Sequence, residues 1–142
     1  MRNVRRIPRL PVAVTGLAAF ALSLLWYSPL LFGEIWITLS HADPSAMPIW
    51  KMLIAPVREL LAASVLAYLI VRLEIVNWKP AASLGFGLWL AFHAVQMAGA
   101  VIWDNMPWKL GAVHAGDWLM KMLFMAIALT LWLRRQSLSL SR

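Results

Sequence analysis

The sequence contains no cysteine among its 142 residues. Disulfide bonds, thiolate catalysis, thiolate-held iron–sulfur clusters and cysteine-ligated zinc are therefore excluded. Charged residues are also scarce, at 13% of the chain, whereas 62% of the residues are hydrophobic. So little polar surface cannot cover a water-soluble globule, and the composition therefore predicts that the bilayer is the solvent of this chain.

The positive charge of the chain is confined to its ends and loops. The net charge of +7 would suit a nucleic-acid-binding protein. The basic residues, however, lie in the amino-terminal tail, in one short loop and in the carboxyl-terminal tail. This distribution is typical of membrane topology, so we expect no nucleic-acid partner and both termini in the cytoplasm.

Four apolar segments account for almost all of the sequence. A hydrocarbon core of about 30 Å requires about 20 apolar residues in a helix, and the segments lack the alternation of barrel strands. The sequence predicts one all-α transmembrane domain over residues 1–142, a four-helix antiparallel bundle. Its helices are expected at about 11–33, 50–74, 81–103 and 111–133, with an interfacial loop at 34–49. A cleaved signal peptide is the alternative for the first segment, but its apolar run extends to Phe32.

Polar side chains within the apolar segments are the candidates for function, because a charge in hydrocarbon costs at least about 2.5 kcal/mol. At a rise of about 1.5 Å per residue, most of them lie roughly 9 to 15 Å below the outer boundary. We therefore expect these polar side chains to lie close together in the outer half of the membrane, where they would form a site for a small amphipathic or ionic ligand. The candidate residues are Tyr27, Arg58, Glu59, His93, Gln96, His114, Asp117 and Lys121.

The four charged members of this set sum to zero, which allows two neutralising pairs. We expect Arg58 to pair with Asp117 and Glu59 with Lys121, although the sequence allows the opposite pairing equally. Arg58 and Glu59 are adjacent and therefore about 100° apart on a helix, so both cannot face the bundle axis. One of the two is expected to face a neighbouring helix or a second subunit.

Three deep tryptophans accompany the polar residues. Trp26, Trp89 and Trp118 lie below the interfacial belt and are candidates to line an aromatic cavity, although core packing or contact with lipid explains any single one better.

Two alternatives to ligand binding or transport stay open. The buried charges could serve only to fix helix packing in a structural or accessory subunit. A membrane enzyme or a haem protein is the other alternative, with His93 and His114 as ligands, although their depths differ by roughly 10 Å. A triad of Ser28, His114 and Asp117 is too unspecific to predict catalysis. We therefore predict no catalytic residue, no metal and no cofactor.

The end of the first apolar segment carries the most specific motif. Residues 26–33 read Trp-Tyr-Ser-Pro-Leu-Leu-Phe-Gly, with Trp36 three residues on. This stretch resembles the signature of the bacterial small-membrane-protein family catalogued as domain of unknown function 1761. The resemblance extends, more loosely, through the second segment and the Asp117-Trp118 region. It implies a multi-pass protein of the bacterial inner membrane and supplies no activity. The expected partners are the bilayer, a lipid or small amphiphile, and a second copy or another membrane protein.

Overall fold

Five helices make up the computed structural model, which describes Ile7 and residues 9–139. They are α1 (Arg9–Trp26), α2 (Gly33–Ser40), α3 (Ile49–Arg72), α4 (Trp78–Trp103) and α5 (Trp108–Ser139). A 3₁₀ turn at Pro44–Ala46 precedes α3, and α4 contains a π-helical segment at Trp89–Ala94. The described residues contain no strand, so the prediction of an all-α fold is confirmed for them.

Four of the five helices, α1, α3, α4 and α5, are long and apolar enough to cross a membrane. This confirms the four spans expected from the sequence. α4 begins at Trp78, before the expected residue 81, because Pro80 fits the first turn of a helix. α5 continues to Ser139, beyond the expected residue 133, because no glycine or proline follows Gly116.

The first span ends at Trp26 rather than near residue 33. Pro29 has no backbone N–H to continue the helical ladder, and the chain turns instead. The turn is closed by the N–H of Phe32, which donates to the Trp26 carbonyl, and by the N–H of Gly33, which donates to the Ser28 carbonyl, both at 3.0 Å. A Cβ at Gly33 would lie 2.6 Å from the Tyr27 carbonyl oxygen, so only glycine fits this turn without a shift.

A short helix, α2, occupies part of the segment 34–49, which the sequence predicts to be an interfacial loop. α2 begins directly at Gly33 and ends before His41, whose φ of 52° is left-handed. α2 contacts α5. Trp36 of α2 packs edge-on against Tyr27, and the Tyr27 ring in turn contacts His114 of α5. We call the end of the structure that holds α2 and residues 104–107 the outer end.

The last helix, α5, contacts each of the other four helices, and α1 also contacts α3. α3 and α4 both pack on α5 without an extensive contact between their described residues. Two glycines allow close approach between helices, Gly16 between α1 and α3 and Gly85 between α4 and α5. A Cβ at Gly16 would lie 2.9 Å from Leu60 Cδ2, and one at Gly85 would lie 2.8 Å from the Met122 carbonyl oxygen.

The apolar core lies away from the outer end. Its fully buried members are mostly small or aliphatic and come from α1, α3, α4 and α5: Ala19, Ala63, Leu66, Ala67, Ile70, Ala81, Met125, Ala126 and Leu129. The buried charged residues Glu59, Asp117 and Lys121 lie on the outer side of this core. The expected separation of an outer polar layer from an inner apolar one is therefore present.

Candidate functional site

Lys121 of α5 is the centre of the polar layer, and none of its surface is exposed. Its Nζ lies 2.8 Å from Glu59 Oε1 on α3 and 2.7 Å from Asp117 Oδ2, one turn earlier on α5. Glu59 and Asp117 are buried as well. A buried ammonium group that bridges two carboxylates loses much less free energy to desolvation than an isolated charge would.

Ser23 connects this arrangement to α1. Its hydroxyl donates to Asp117 Oδ1 at 2.6 Å, and its side chain is buried. Ser23 is not among the residues expected from the sequence, although it lies one turn before Tyr27 and so shares a helix face with it. The polar layer therefore joins three helices through side chains alone.

Arg58 completes the set, but not with the expected partner. Its Nη2 lies 3.1 Å from Glu59 Oε1, so the expected pair of Glu59 and Lys121 forms, whereas the expected pair of Arg58 and Asp117 does not. The reason is angular: Glu59 faces α5, and Arg58, about 100° away on α3, faces outward. The Arg58 side chain is 54% exposed. Ser23, Arg58, Glu59, Asp117 and Lys121 together form what we call the charge network.

A second polar pair lies towards the outer end. The Tyr27 hydroxyl and His114 Nδ1 are hydrogen-bonded at 2.6 Å, and Trp36 of α2 packs edge-on against Tyr27. His114 lies one turn from Asp117 on α5, so the pair borders the charge network. The sequence motif at the end of α1 therefore places its tyrosine against α5.

Trp118 of α5 is in contact with side chains from two other helices. The guanidinium carbon of Arg58 lies 5.0 Å from the centroid of the Trp118 ring, and the His93 ring lies 5.2 Å from it. Lys121 Nζ is 4.4 Å from the same ring. Such distances are typical of cation–π contacts. We call Arg58, His93 and Trp118 the Trp118 surface.

His93 belongs to the π-helical segment of α4. Segments of this kind are rare and occur often at functional sites, because the wider turn redirects side chains. In the same segment, Trp89 Nε1 donates to the Ala115 carbonyl of α5 at 2.8 Å. This bond fixes the segment against α5 next to Trp118.

One expected site residue, Gln96, and the serine of the triad that was considered, Ser28, lie outside these contacts. Gln96 is exposed on α4 and is not part of the charge network. Ser28 is not assembled into a triad with His114 and Asp117, because its hydroxyl donates to the Leu25 carbonyl at 2.7 Å within the turn.

The deep tryptophans do not share one cavity. Trp26 Nε1 donates to the Val113 carbonyl of α5 at 3.1 Å, so this ring joins α1 to α5. Trp89 lines an apolar concavity between α4 and α5, with Met97 and Ala115. Trp118 is not part of the lining of this concavity and contacts Arg58 and His93 instead. Two of the three thus serve helix packing through indole hydrogen bonds.

Two buried polar atoms near Trp118 have no hydrogen-bond partner: Glu59 Oε2 and His93 Nε2. Every other carboxylate oxygen of the charge network has a partner, because Asp117 accepts from Ser23 and Lys121 while Glu59 Oε1 faces Arg58 and Lys121. Buried groups without partners are uncommon in folded proteins. They make the Trp118 surface and the adjoining Glu59 the best candidate for a binding site.

The residues that the structure describes contain no group of three histidine, aspartate or glutamate side chains suited to a metal ion. The charge network also does not continue towards the inner end, where the core is apolar. The buried charged side chains are therefore confined to the outer side of the apolar core in the described part of the chain.

A comparison with known protein families finds one family model that matches most of the chain. Residues 10–130 match the model of a family described as Protein of unknown function (DUF1761). The chain belongs to this family. The matched residues include both the turn after α1 and the whole charge network, so the resemblance seen in the motif at Trp26 is confirmed. No curated protein and no solved structure matches the chain.

Proposed function

We propose that this member of the family is a multi-pass protein of the bacterial inner membrane that binds a small amphipathic ligand with an anionic head group at the Trp118 surface. The observation that carries the proposal is the environment of Arg58. Its side chain is 54% exposed, roughly 12 Å below the outer end of α3, and stacks on Trp118. A guanidinium group at this depth would otherwise face lipid chains, which offer no acceptor.

The chemistry of Arg58 favours an anion with several oxygens. A guanidinium group has five N–H donors in a planar fork, and the contact with Glu59 Oε1 uses Nη2 alone. Carboxylate, phosphate and sulfonate groups match the remaining donors in pairs. His93 Nε2, in the ring that contacts Trp118, is buried and has no hydrogen-bond partner.

The neighbouring surface favours an apolar tail. Leu61 on α3 and Leu90 on α4 lie one turn further inward than Arg58 and His93, respectively, and are 64% and 47% exposed. An acyl chain that runs inward from a head group at Arg58 would pass both leucines. α3 and α4 make no extensive contact with each other in the described part of the chain, and both leucines are on these two helices.

The fully buried part of the charge network has a structural role in this proposal. Glu59, Asp117 and Lys121 join α3 to α5 and, through Ser23, to α1. They connect three of the four spans to one another and hold Arg58 at its position. A ligand would touch only the outward-facing side of the network.

The proposed orientation has both termini in the cytoplasm, as the distribution of Lys and Arg favours. Because the chain has no cysteine, a single introduced cysteine reports its own location. In intact cells, a membrane-impermeant maleimide is expected to label Lys51→Cys and to label Arg135→Cys only after lysis. The reverse pattern would contradict this orientation.

Titration of the chain in phosphatidylcholine nanodiscs with dodecanesulfonate, followed by calorimetry, tests the binding proposal. We expect saturable binding to the wild type and about 10- to 100-fold weaker binding to Arg58→Gln, because hydrogen bonds to a charged group contribute about 1.5–3 kcal/mol. Arg58→Lys is expected to be intermediate, since lysine retains the charge and loses the fork.

Lys51→Gln provides the matched control, because it removes an exposed positive charge from the same helix. Its affinity for dodecanesulfonate is expected to stay within about twofold of wild type, since exposed charges are screened by salt. Equal binding of the sulfonate by wild type and Arg58→Gln, or equal saturable binding of uncharged dodecanol, would contradict the proposal.

An accessory subunit is the second candidate, and Gln96 favours it. This amide is exposed at membrane depth on α4, where a polar side chain from another membrane protein or a second copy would satisfy it. In that case Arg58→Gln and Gln96→Leu would lower the yield of a stoichiometric partner on purification and leave dodecanesulfonate binding unaffected.

A further inference from the structure

The charge network is electrically neutral without a ligand. Arg58 and Lys121 carry two positive charges, and Glu59 and Asp117 carry two negative charges. A bound anion at Arg58 would therefore give the site a net negative charge in a medium of low dielectric constant. Uncompensated charge in such a medium is costly, so an anion is bound well only if an opposite charge accompanies it.

Glu59 Oε2 is the atom at which that compensation costs least. It is buried and has no hydrogen-bond partner, whereas Glu59 Oε1 faces both Lys121 and Arg58. A proton on Oε2 displaces no hydrogen-bond donor: Arg58 and Lys121 keep their contacts with Oε1, which become hydrogen bonds to a neutral carbonyl oxygen. A proton on Asp117 would compete with the Ser23 hydroxyl or the Lys121 ammonium group, because both oxygens already accept from a donor.

From this geometry we infer that binding of an anionic head group at Arg58 is coupled to uptake of one proton by Glu59. The proton comes from bulk water and forms an O–H bond at Oε2, so the carboxylate becomes neutral and no other bond changes. The site then has the same net charge with and without ligand. This inference rests on the proposed function and adds that binding weakens as the pH rises.

Other titratable and charged groups surround Glu59, and some of them could accept the proton in its place. Those on the packed elements are Arg58 of α3, Tyr27 at the end of α1, His93 of α4, and His114, Asp117 and Lys121 of α5. His114 is hydrogen-bonded through Nδ1 to Tyr27. His93 Nε2 has no partner and belongs to a ring that contacts Trp118, the ring that Lys121 also approaches.

Calorimetric titration with dodecanesulfonate in two buffers of different ionisation enthalpy measures the proton uptake. Because a sulfonate has the same charge between about pH 5 and about pH 9, any proton exchanged belongs to the protein or the buffer. We expect uptake to approach one proton per sulfonate at pH values where Glu59 is ionised in the free protein. In that range the affinity is expected to fall by up to about tenfold per pH unit.

Glu59→Gln mimics the protonated carboxyl group and is expected to bind dodecanesulfonate at least as tightly as wild type, without proton uptake or pH dependence. Glu34→Gln is the matched control, because Glu34 is exposed at the start of α2, and it is expected to retain the proton uptake. The wild-type measurement does not depend on any variant and is decisive even if Glu59→Gln does not fold.

The failures of the two proposals are distinguishable. Saturable, Arg58-dependent binding without proton uptake would overturn the inference and leave the binding function intact. Uptake that persists in Glu59→Gln would also overturn it, by pointing to His93 or His114. Absence of saturable binding at every pH would overturn both.

Discussion

Lys121→Met is expected to lower the free energy of unfolding by about 3–5 kcal/mol, because it leaves two buried carboxylates without their shared positive partner. Methionine retains the length and the apolar stem of the side chain, so packing changes little. Glu59 would still face Arg58, but Asp117 would retain only the hydroxyl of Ser23. Reversible unfolding in mixed micelles, followed by tryptophan fluorescence, measures this loss.

A second substitution separates charge from packing. Adding Asp117→Asn to Lys121→Met restores neutrality, because only the pair of Arg58 and Glu59 remains, and most of the lost stability is expected to return. Lys109→Met is the matched control on α5, since Lys109 is exposed, and its effect is expected to stay within about 0.5 kcal/mol. If Lys121→Met were as stable as wild type, the network would not stabilise the fold.

Gly85→Ala is expected to destabilise the protein by about 1–3 kcal/mol, the usual cost of overpacking. Its Cβ would lie 2.8 Å from the Met122 carbonyl oxygen and 3.2 Å from Ala126 Cβ, so α4 would have to move away from α5. α5 is the only long helix against which α4 packs extensively in the described part of the chain. Because α4 carries His93, this movement would also separate His93 from Trp118.

Gly87 offers a control two residues away on the same helix. A Cβ at this position meets no atom within 4 Å. Gly87→Ala is therefore expected to leave the free energy of unfolding unchanged or to raise it by up to about 1 kcal/mol, through helix propensity. Equal effects of the two substitutions in the same micelle assay would contradict the packing of α4 on α5.

Much of the fold follows from the sequence because hydrophobicity and length determine which segments can cross a bilayer. The turn after α1 is an exception. Composition extends the first apolar run to Phe32, whereas the helix ends at Trp26 because backbone hydrogen bonds around Pro29 and Gly33 close a turn. Apolar residues are equally acceptable in a span and in a membrane-facing turn, so hydropathy cannot separate the two.

The residues of the polar layer could also be predicted, since buried charges in a span must converge. Their pairing could not. Arg58 and Glu59 are sequence neighbours, and only the rotation of α3 decides which one faces α5. Ser23 was missed because serine is common in membrane helices, and only its spacing from Tyr27 placed it on the relevant face. The π-helical segment that carries His93 has no signal in the apolar pattern around it.

A crystal structure of the protein grown in a lipidic mesophase with dodecanesulfonate tests the central proposal most directly. The account predicts a sulfonate within hydrogen-bond distance of the Arg58 guanidinium group, beside Trp118, with its chain running inward past Leu61 and Leu90. An Arg58 side chain covered by a second copy of the protein, or turned away from Trp118 with no sulfonate bound, would contradict it.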